Sequence, residues 1–311
     1  MPTNRVYKLL GIIMMSGLSQ LLGLTANAAP TIYPRQVDLS GNIFHFAMPE
    51  NFSKDMPAEN MVEKLDIQDL EKFTDPEYGN IIRRWWDIKK PGFFGKEIGT
   101  VMMDISVQRA PDNKQKLLHD KKFNLADRMD FITMIYDHLH QRYNPLNIEA
   151  KKNYGEENAY HFGIGSLVGD QLRSHYRDYT YNDQKWIGYS VSAPLNQIII
   201  GFVMPLTSDA YLELTFTYSP NQNISSHEFF EVADKTTQPI EDSLRVNFIS
   251  NNPIKNAVEK DWLNTTNNET LALHKDKLLI PLFGPNIYQR LEESKKKALE
   301  LKKELDRPLE E

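Results

Sequence analysis

Hydrophobic and polar residues alternate along much of the chain, which is the pattern of a half-buried β-strand. The alternation is clearest over residues 100–107, where the apolar side chains share one face of the strand. A strand-like stretch at residues 81–88 precedes it, and proline and glycine residues lie between the two. We therefore predict a hairpin of two antiparallel strands.

The strongest β pattern lies further along the chain. It divides into five strand candidates, at residues 158–165, 170–181, 185–193, 197–204 and 211–218. Their connections are short, and short connections imply antiparallel strands that are neighbours in space. The fourth candidate is apolar on both faces, which places it in the centre of the sheet. The pattern predicts an antiparallel meander over residues 158–218.

The helical period is clearest in residues 124–143. Asn124 is the expected N-cap of this helix, and Pro145 follows its expected end. The apolar side chains recur at spacings of three and four: Leu125, Met129, Ile132, Ile135, Tyr136 and Leu139. This spacing predicts an amphipathic helix that packs its apolar stripe on the sheet.

Two further helices are predicted. The residues from Ser225 to Glu228 match a capping box, and the helix that follows is expected to break or restart at Pro239. Residues 56–73 place apolar side chains near one face, which also indicates a helix. The predicted fold class is α+β, an antiparallel sheet (the meander of residues 158–218) with helices packed on its faces.

The first 28 residues have the pattern of a cleavable signal peptide. Arg5 and Lys8 precede an apolar run at residues 9–24, and an Ala-Asn-Ala sequence at 26–28 supplies the cleavage site. A membrane anchor is the alternative, but the run is short and contains polar residues. We expect export to the periplasm and no stable membrane insertion after cleavage.

The remainder divides into three predicted parts. Residues 29–249 form the α+β domain. Residues 250–284 begin polar and rich in asparagine, so we interpret them as a linker or docking segment. Residues 285–311 are rich in lysine and glutamate and predict a charged C-terminal helix with a thin apolar stripe.

The charge and the cysteine count narrow the function classes. The chain carries a formal charge of −6, and removal of residues 1–28 takes away two cations and leaves −8. A surface this acidic does not favour nucleic acid, which is bound by neutralising phosphates. The chain has no cysteine, which excludes a lipoprotein anchor and suits a bacterial periplasm, with a eukaryotic secretory route as the alternative.

No motif in the sequence assembles a catalytic site. The glycines at residues 163–169 match neither a nucleophile elbow nor a dinucleotide loop. His138 and His140 would point about 200° apart on a helix, so we expect solvated histidines there. Asp104 is expected to face solvent. We predict no catalytic residues, no cofactor and no metal site, and we interpret the protein as a non-enzyme.

Aromatic and basic residues form the candidate binding features. Adjacent residues of a strand point to opposite faces, so one tryptophan of the Arg-Arg-Trp-Trp sequence belongs in the core and its neighbour outside it. An exposed tryptophan beside arginine has the composition of a binding hot spot; packing of both tryptophans is the alternative. The possible partner-binding residues are Arg83, Arg84, Trp85, Trp86, Tyr176, Tyr179 and Tyr181, the tyrosines on the condition that they face outward.

Two segments carry a family resemblance. Residues 42–52 are similar to the opening strand and aromatic loop of exported PsbP/DcrB/Mog-like α+β proteins. Residues 211–218 and the helix end at 240–246 resemble their last strand and closing helix, so the resemblance spans about residues 42–248. The chain also resembles, in class, periplasmic immunity proteins, which neutralise toxic effectors delivered by type VI secretion.

The class resemblance implies a protein-binding role without catalysis. The expected function is a periplasmic immunity protein whose partner is a secreted effector or toxin. A small-molecule or lipid-binding envelope factor is the first alternative, and it requires an apolar pocket of about 300 Å³ or more. A hydrolase without a recognisable motif is the second, and it requires His and carboxylate side chains that converge in one cleft.

Overall fold

Most of the β-structure in the described residues belongs to one antiparallel sheet. The computed structural model describes residues 30–56, 59–75, 77–90, 95–111, 119, 122–155, 161–165 and 175–262. The predicted signal peptide, the 91–94 connection and the charged C-terminal helix lie outside these residues. The large sheet contains β4 (Asn80–Lys89), β5 (Glu97–Arg109), β6 (Gly163–Ile164), β7 (Tyr176–Tyr181), β8 (Gln184–Ala193), β9 (Gln197–Pro205) and β10 (Ala210–Pro220).

The order of the large sheet confirms the hairpin and the last four strands of the predicted meander, whereas the first, β6, does not pair with β7. It runs β4-β5-β10-β9-β8, and both β6 and β7 pair with the outer side of β8. Strands β7 to β10 therefore follow one another in the sheet as they do in the sequence. The turns at 182–183 and 195–196 have positive φ at both residues. This backbone conformation matches the twist of the flanking strands and is the one that favours tight two-residue hairpin turns.

A smaller sheet packs against the large one. It contains β1 (Ile32–Leu39), β2 (Asn42–Pro49), β3 (Lys64–Leu65) and β11 (Arg245–Asn247), in the order β11-β2-β1-β3. The described residues also form the helices α1 (Arg128–Tyr154), α2 (Ser226–Asp242) and α3 (Pro253–Asp261). These elements confirm the α+β fold class.

Each face of the large sheet has its own core. On one face, alternate residues of β4, β5, β9 and β10 pack with β1, β2 and α2. On the other face, residues of β8, β9 and β10 pack with α1 and α3. Both faces of β9 are thus buried, which explains why residues 198–204 carry no polar side chain.

Helix α1 differs from the prediction at both ends, and the expected N-cap at Asn124 is wrong. Its N-cap is Asp127, which accepts a hydrogen bond from Asp130 N, and it continues through Pro145 to Tyr154. The turns beyond the proline are held from outside, because Asn147 exchanges two hydrogen bonds with the backbone of Phe162. This tertiary contact offsets the backbone bond that the proline removes.

Helix α2 begins as predicted and does not break. Ser225 accepts a hydrogen bond from Glu228 N, and the helix runs without interruption through Pro239 to Asp242. The helix predicted over residues 56–73 is wrong in its described part. That segment contains β3 and a short 3-10 helix at Lys72–Thr74, because its backbone bonds to β1 and β4 instead of to itself.

The polar segment after residue 250 is also more ordered than a linker. Asn252 caps α3 by accepting hydrogen bonds from Ile254 N and Lys255 N. Trp262 follows and is buried against Phe131 of α1. Residues 253–262 therefore belong to the core beside α1. Within the described residues, no helix combines the length and apolar character that crossing a membrane requires.

Candidate functional site

Helix α1 leaves part of the large sheet uncovered by its apolar stripe. The core cluster that contains α1 includes residues of β8, β9 and β10 but none of β4 or β5. On the same side, β4, β5 and β10 present a set of half-buried side chains in adjacent rows. We call this set the open face: Arg83, Trp85, Asp87, Thr100, Met102, Asp104, Thr215 and Thr217.

Strand register fixes the layout of the open face. Trp85 lies directly opposite Met102, with Arg83 and Asp87 two residues away on its own strand. Arg83 in turn lies opposite Asp104. Because β5 is hydrogen-bonded to strands on both sides, these rows sit on a backbone that is fixed by the ladder.

Arg83 is engaged with two carboxylates. Its Nε and Nη2 atoms contact Asp104 Oδ2 at 2.7 and 2.6 Å, and its Nη1 lies 3.4 Å from Glu59 Oε1. Burial raises the pKa of the Asp104 carboxyl despite the Arg83 contact. Asp104 thus lies on the expected face of β5, but it is paired and largely buried, so the expectation of a solvent-facing acid is corrected.

The two tryptophans separate as strand geometry requires. Trp86 is buried, and its indole Nε1 donates a hydrogen bond to Pro49 O at 3.3 Å. Trp85 is half-buried on the open face. Burial takes Trp86 out of the candidate surface, and a partner contact at Trp85 stays a prediction.

Arg84 closes the outer edge of the large sheet. Its Nη1 donates to Arg83 O at 2.7 Å, and its guanidinium lies over the Phe52 ring at 5.1 Å. The neighbouring carbonyls of Ile81 and Trp85 accept hydrogen bonds from backbone amides of other segments. These contacts occupy a strand edge that would otherwise attract other strands, which gives Arg84 a structural role.

Two of the three candidate tyrosines are buried. Tyr181 points toward α2, and its hydroxyl donates to Glu241 Oε2 at 3.0 Å. Tyr176 is buried in the cluster that contains α1. Strand β7 pairs with β8, and its alternate side chains point to opposite faces of the sheet, so Tyr176 and Tyr181 belong to different cores. Tyr179 remains half-buried across Gly188, where a Cβ would lie 2.3 Å from its ring.

A buried polar network lies next to the open face. Glu213 of β10 accepts a hydrogen bond from Arg142 Nη2 of α1 at 2.9 Å and from the Tyr189 hydroxyl of β8 at 2.6 Å. The Tyr189 ring crosses Gly201, where a Cβ would lie 2.1 Å from it. Burial favours a raised pKa for Glu213, but Arg142 and these hydrogen bonds outweigh it and lower the pKa. Glu213 is therefore a buried carboxylate that Arg142 keeps ionised.

His138 joins the same region of α1 to the sheet. Its Nδ1 forms a hydrogen bond with the Tyr211 hydroxyl at 2.5 Å. Burial, reinforced by Arg142, lowers the pKa of His138 to about 4. The expectation of a solvated histidine is therefore wrong at this position. The hydrogen bonds of His138 with Tyr211 and of Arg142 with Glu213 join α1 to β10 and hold the helix on the sheet.

The buried histidines predict acid sensitivity. His138 and His175 both have pKa values lowered to about 4 by burial, below the ordinary value of 6.5. The unfolded chain therefore binds more protons than the folded chain between about pH 6.5 and 4, and stability is lost as the pH falls through that window. Urea unfolding at several pH values measures this, and the His138→Gln, His175→Gln double variant should show a flatter profile. An equal slope in both proteins would contradict the assignment.

A second carboxylate was missed from the sequence. Asp137 has a fully buried side chain, and its oxygens contact the backbone N of His119 at 3.0 Å and the ring Nδ1 at 2.8 Å. The two residues are separated by 18 positions, so no local motif joins them. The one local signal for a buried acid was its position: Asp137 lies three residues after Met134 and so shares the buried face of the amphipathic helix.

A depression lies on the described surface beside β1. It has a volume of about 380 Å³, lies open beside β1, and is lined by charged and apolar residues: Pro34, Arg35, Gln36, Asp38, Ile43, Met61 and Glu63. A second concavity near the start of α3 holds only about 20 Å³. Among the described residues, no three His, Asp or Glu side chains are grouped closely enough to hold a metal ion.

Comparison with known proteins adds no family to this geometry. Models of protein families give no match to the chain, and no curated protein matches it. The resemblance to PsbP/DcrB/Mog-like proteins stays a prediction.

Proposed function

We propose that this protein is a periplasmic protein-binding module of the immunity kind, which neutralises a secreted antibacterial effector without catalysis. Its contact surface is the open face of the large sheet. The observation that carries the proposal is Trp85, a half-buried residue that lies opposite Met102 and two residues from Arg83, on a part of the sheet that the core of α1 does not include.

The composition of the open face supports binding to protein. Tryptophan, arginine and methionine are enriched in protein interfaces relative to other surfaces, and all three occur in adjacent positions here. The backbone beneath them is held by the ladder of β4, β5 and β10. A surface fixed before binding loses little conformational entropy when a partner docks.

The depression beside β1 favours a second candidate function. Its volume of about 380 Å³ is in the range of small-molecule sites. Because Arg35, Asp38 and Glu63 are among its lining residues, a polar ligand suits it better than a lipid. The depression is therefore not the apolar pocket expected for an envelope factor, and this alternative is kept only in the form of a factor that binds a polar small molecule.

Trp85→Ala tests the contact surface directly. The purified protein is used to capture partners from envelope extracts, and any captured protein is identified, produced and titrated against it by calorimetry. We expect a one-to-one complex that Trp85→Ala weakens by ~30-fold or more, the size of a hot-spot loss. The matched control is Tyr154→Ala, which removes an exposed aromatic residue from the end of α1.

The proposal also requires neutralisation. Saturating amounts of the wild-type protein should abolish the toxicity or activity of the captured effector, and Tyr154→Ala should do the same. Recovery of no specific partner, or of one whose activity is unchanged in the complex, would contradict the immunity role.

A further inference from the structure

We infer that the partner places an arginine or lysine side chain on the indole of Trp85, where carboxylates of the open face surround the cation. This inference rests on the proposed function, since it names the chemistry of the partner at the same surface. It is carried by the balance of charge around Trp85.

The one guanidinium of the open face is already used. Arg83 is bound to Asp104 through two nitrogens and approaches Glu59 with a third. Its charge is thus matched inside the molecule, so Arg83 offers little attraction to an acidic partner. The same contacts hold the Arg83 side chain in one position beside Trp85.

The remaining charge at Trp85 is negative. Asp87 lies two residues from Trp85 on the same face of β4 and opposite the uncharged Thr100. It forms no ion pair with any other residue that the structure describes. Lys89, the next cation on the strand, lies opposite Glu97, which offsets it. Glu59 and Asp104 are both paired with Arg83, and Glu59 also interacts with Arg84, so Asp87 carries the unmatched charge beside Trp85.

An indole beside an unmatched carboxylate favours a cation. A guanidinium or ammonium group over the face of tryptophan is attracted by the ring quadrupole, and tryptophan is the best aromatic residue for this contact. Asp87 can accept hydrogen bonds from the same group. The net negative charge of the chain would also attract a basic partner from a distance.

The tryptophan content makes the site measurable. The chain has four tryptophans, and Trp86, Trp186 and Trp262 are almost completely buried. Trp85 is half-buried, so collisional quenching of fluorescence reports mainly on its surroundings. Normalised to free N-acetyltryptophanamide, caesium should quench the protein more efficiently than iodide, and Trp85→Phe should remove most of this quenching.

The binding experiment uses hexa-arginine and hexa-glutamate peptides with the full-length protein at low salt. We expect saturable binding of hexa-arginine with a change in Trp85 fluorescence, and no binding of hexa-glutamate. Asp87→Asn should weaken hexa-arginine binding by ~5-fold or more, about the size of one charge-assisted contact. Asp183→Asn removes a carboxylate from the turn between β7 and β8 and should leave the affinity unchanged.

The outcomes separate the two proposals. Stronger quenching by iodide, or equal affinity of wild type and Asp87→Asn for hexa-arginine, would overturn the cation site while the capture experiment could still yield an effector. If no specific partner is captured but hexa-arginine binding depends on Asp87, the immunity role is contradicted and the cation site is supported. The Trp85→Phe variant keeps an aromatic ring, and its thermal unfolding, followed by calorimetry, checks that it is folded. A loss of peptide binding in this variant is then not caused by unfolding.

Discussion

Replacement of Arg142 by methionine is expected to lower the free energy of unfolding by about 3 kcal/mol at neutral pH, because it leaves Glu213 buried without its cation. The Glu213 carboxylate is almost completely buried and would keep only the Tyr189 hydroxyl as a partner. An unpaired buried charge costs more than the pair contributes, which makes this one of the two largest effects expected in the chain. Urea denaturation at pH 7 measures it.

The pH dependence gives the variant a distinctive signature. In the wild type the pKa of Glu213 is lowered, so its contribution to stability is present above the unfolded pKa and is lost as the pH falls through the folded one. Without Arg142, burial raises that pKa instead, and protonation relieves the variant in acid. The stability difference between the two proteins should therefore shrink from pH 7 to pH 4.5.

Two control variants isolate the buried pair. Arg142→Met combined with Glu213→Gln removes both charges and should recover at least half of the lost stability. Arg35→Met breaks the more exposed ion pair with Glu50 and should cost less than about 1 kcal/mol. If Arg142→Met behaves like Arg35→Met, or shows no dependence on pH, the pairing of Arg142 with Glu213 does not hold α1 on the sheet.

The second large effect is expected at Trp262. Replacement by alanine should destabilise the protein by about 3–5 kcal/mol, the usual cost of deleting a large aromatic side chain from a core. The indole is 1 % exposed, stacks on Phe131 with ring centroids 5.7 Å apart, and donates from Nε1 to Ala126 O at 3.0 Å. Thermal and urea unfolding measure the loss.

A conservative variant divides that effect into packing and hydrogen bonding. Trp262→Phe keeps a ring against Phe131 but loses the hydrogen bond, so about 1–3 kcal/mol of the loss is expected for a buried acceptor left without its donor. Were Trp262→Ala to cost less than 1 kcal/mol, residues 253–262 would behave as the linker that their composition indicates and not as part of the core.

Local patterns were sufficient for most strands. Residues 100–107 and 211–218 alternate because one face of each strand is more buried than the other, and both are strands in the structure. The Ser-x-x-Glu cap at Ser225 is also a local interaction, and it forms as predicted. Such features depend on neighbours within a few positions, which a sequence displays directly.

Features that depend on distant partners were missed. Residues 56–73 have a weak helical period, yet backbone bonds to β1 and β4 make them extended around β3. Pro145 would end an isolated helix, but Asn147 and Phe162 hold the turns that follow it. In each case a contact between residues far apart in sequence outweighed a local propensity.

The candidate site divides in the same way. Strand alternation alone predicted that Trp85 and Trp86 lie on opposite faces, because successive side chains of a strand cannot do otherwise. Only the packing of two sheets decided which one is buried, since Trp86 meets the β2 end at Pro49. The sequence determined the alternation and the absence of cysteine, while the export signal stays a prediction. The tertiary structure alone decided that Arg83 pairs with Asp104 and that Arg142 pairs with Glu213. These partners lie 21 and 71 positions apart, so no local sequence pattern contains both members of a pair.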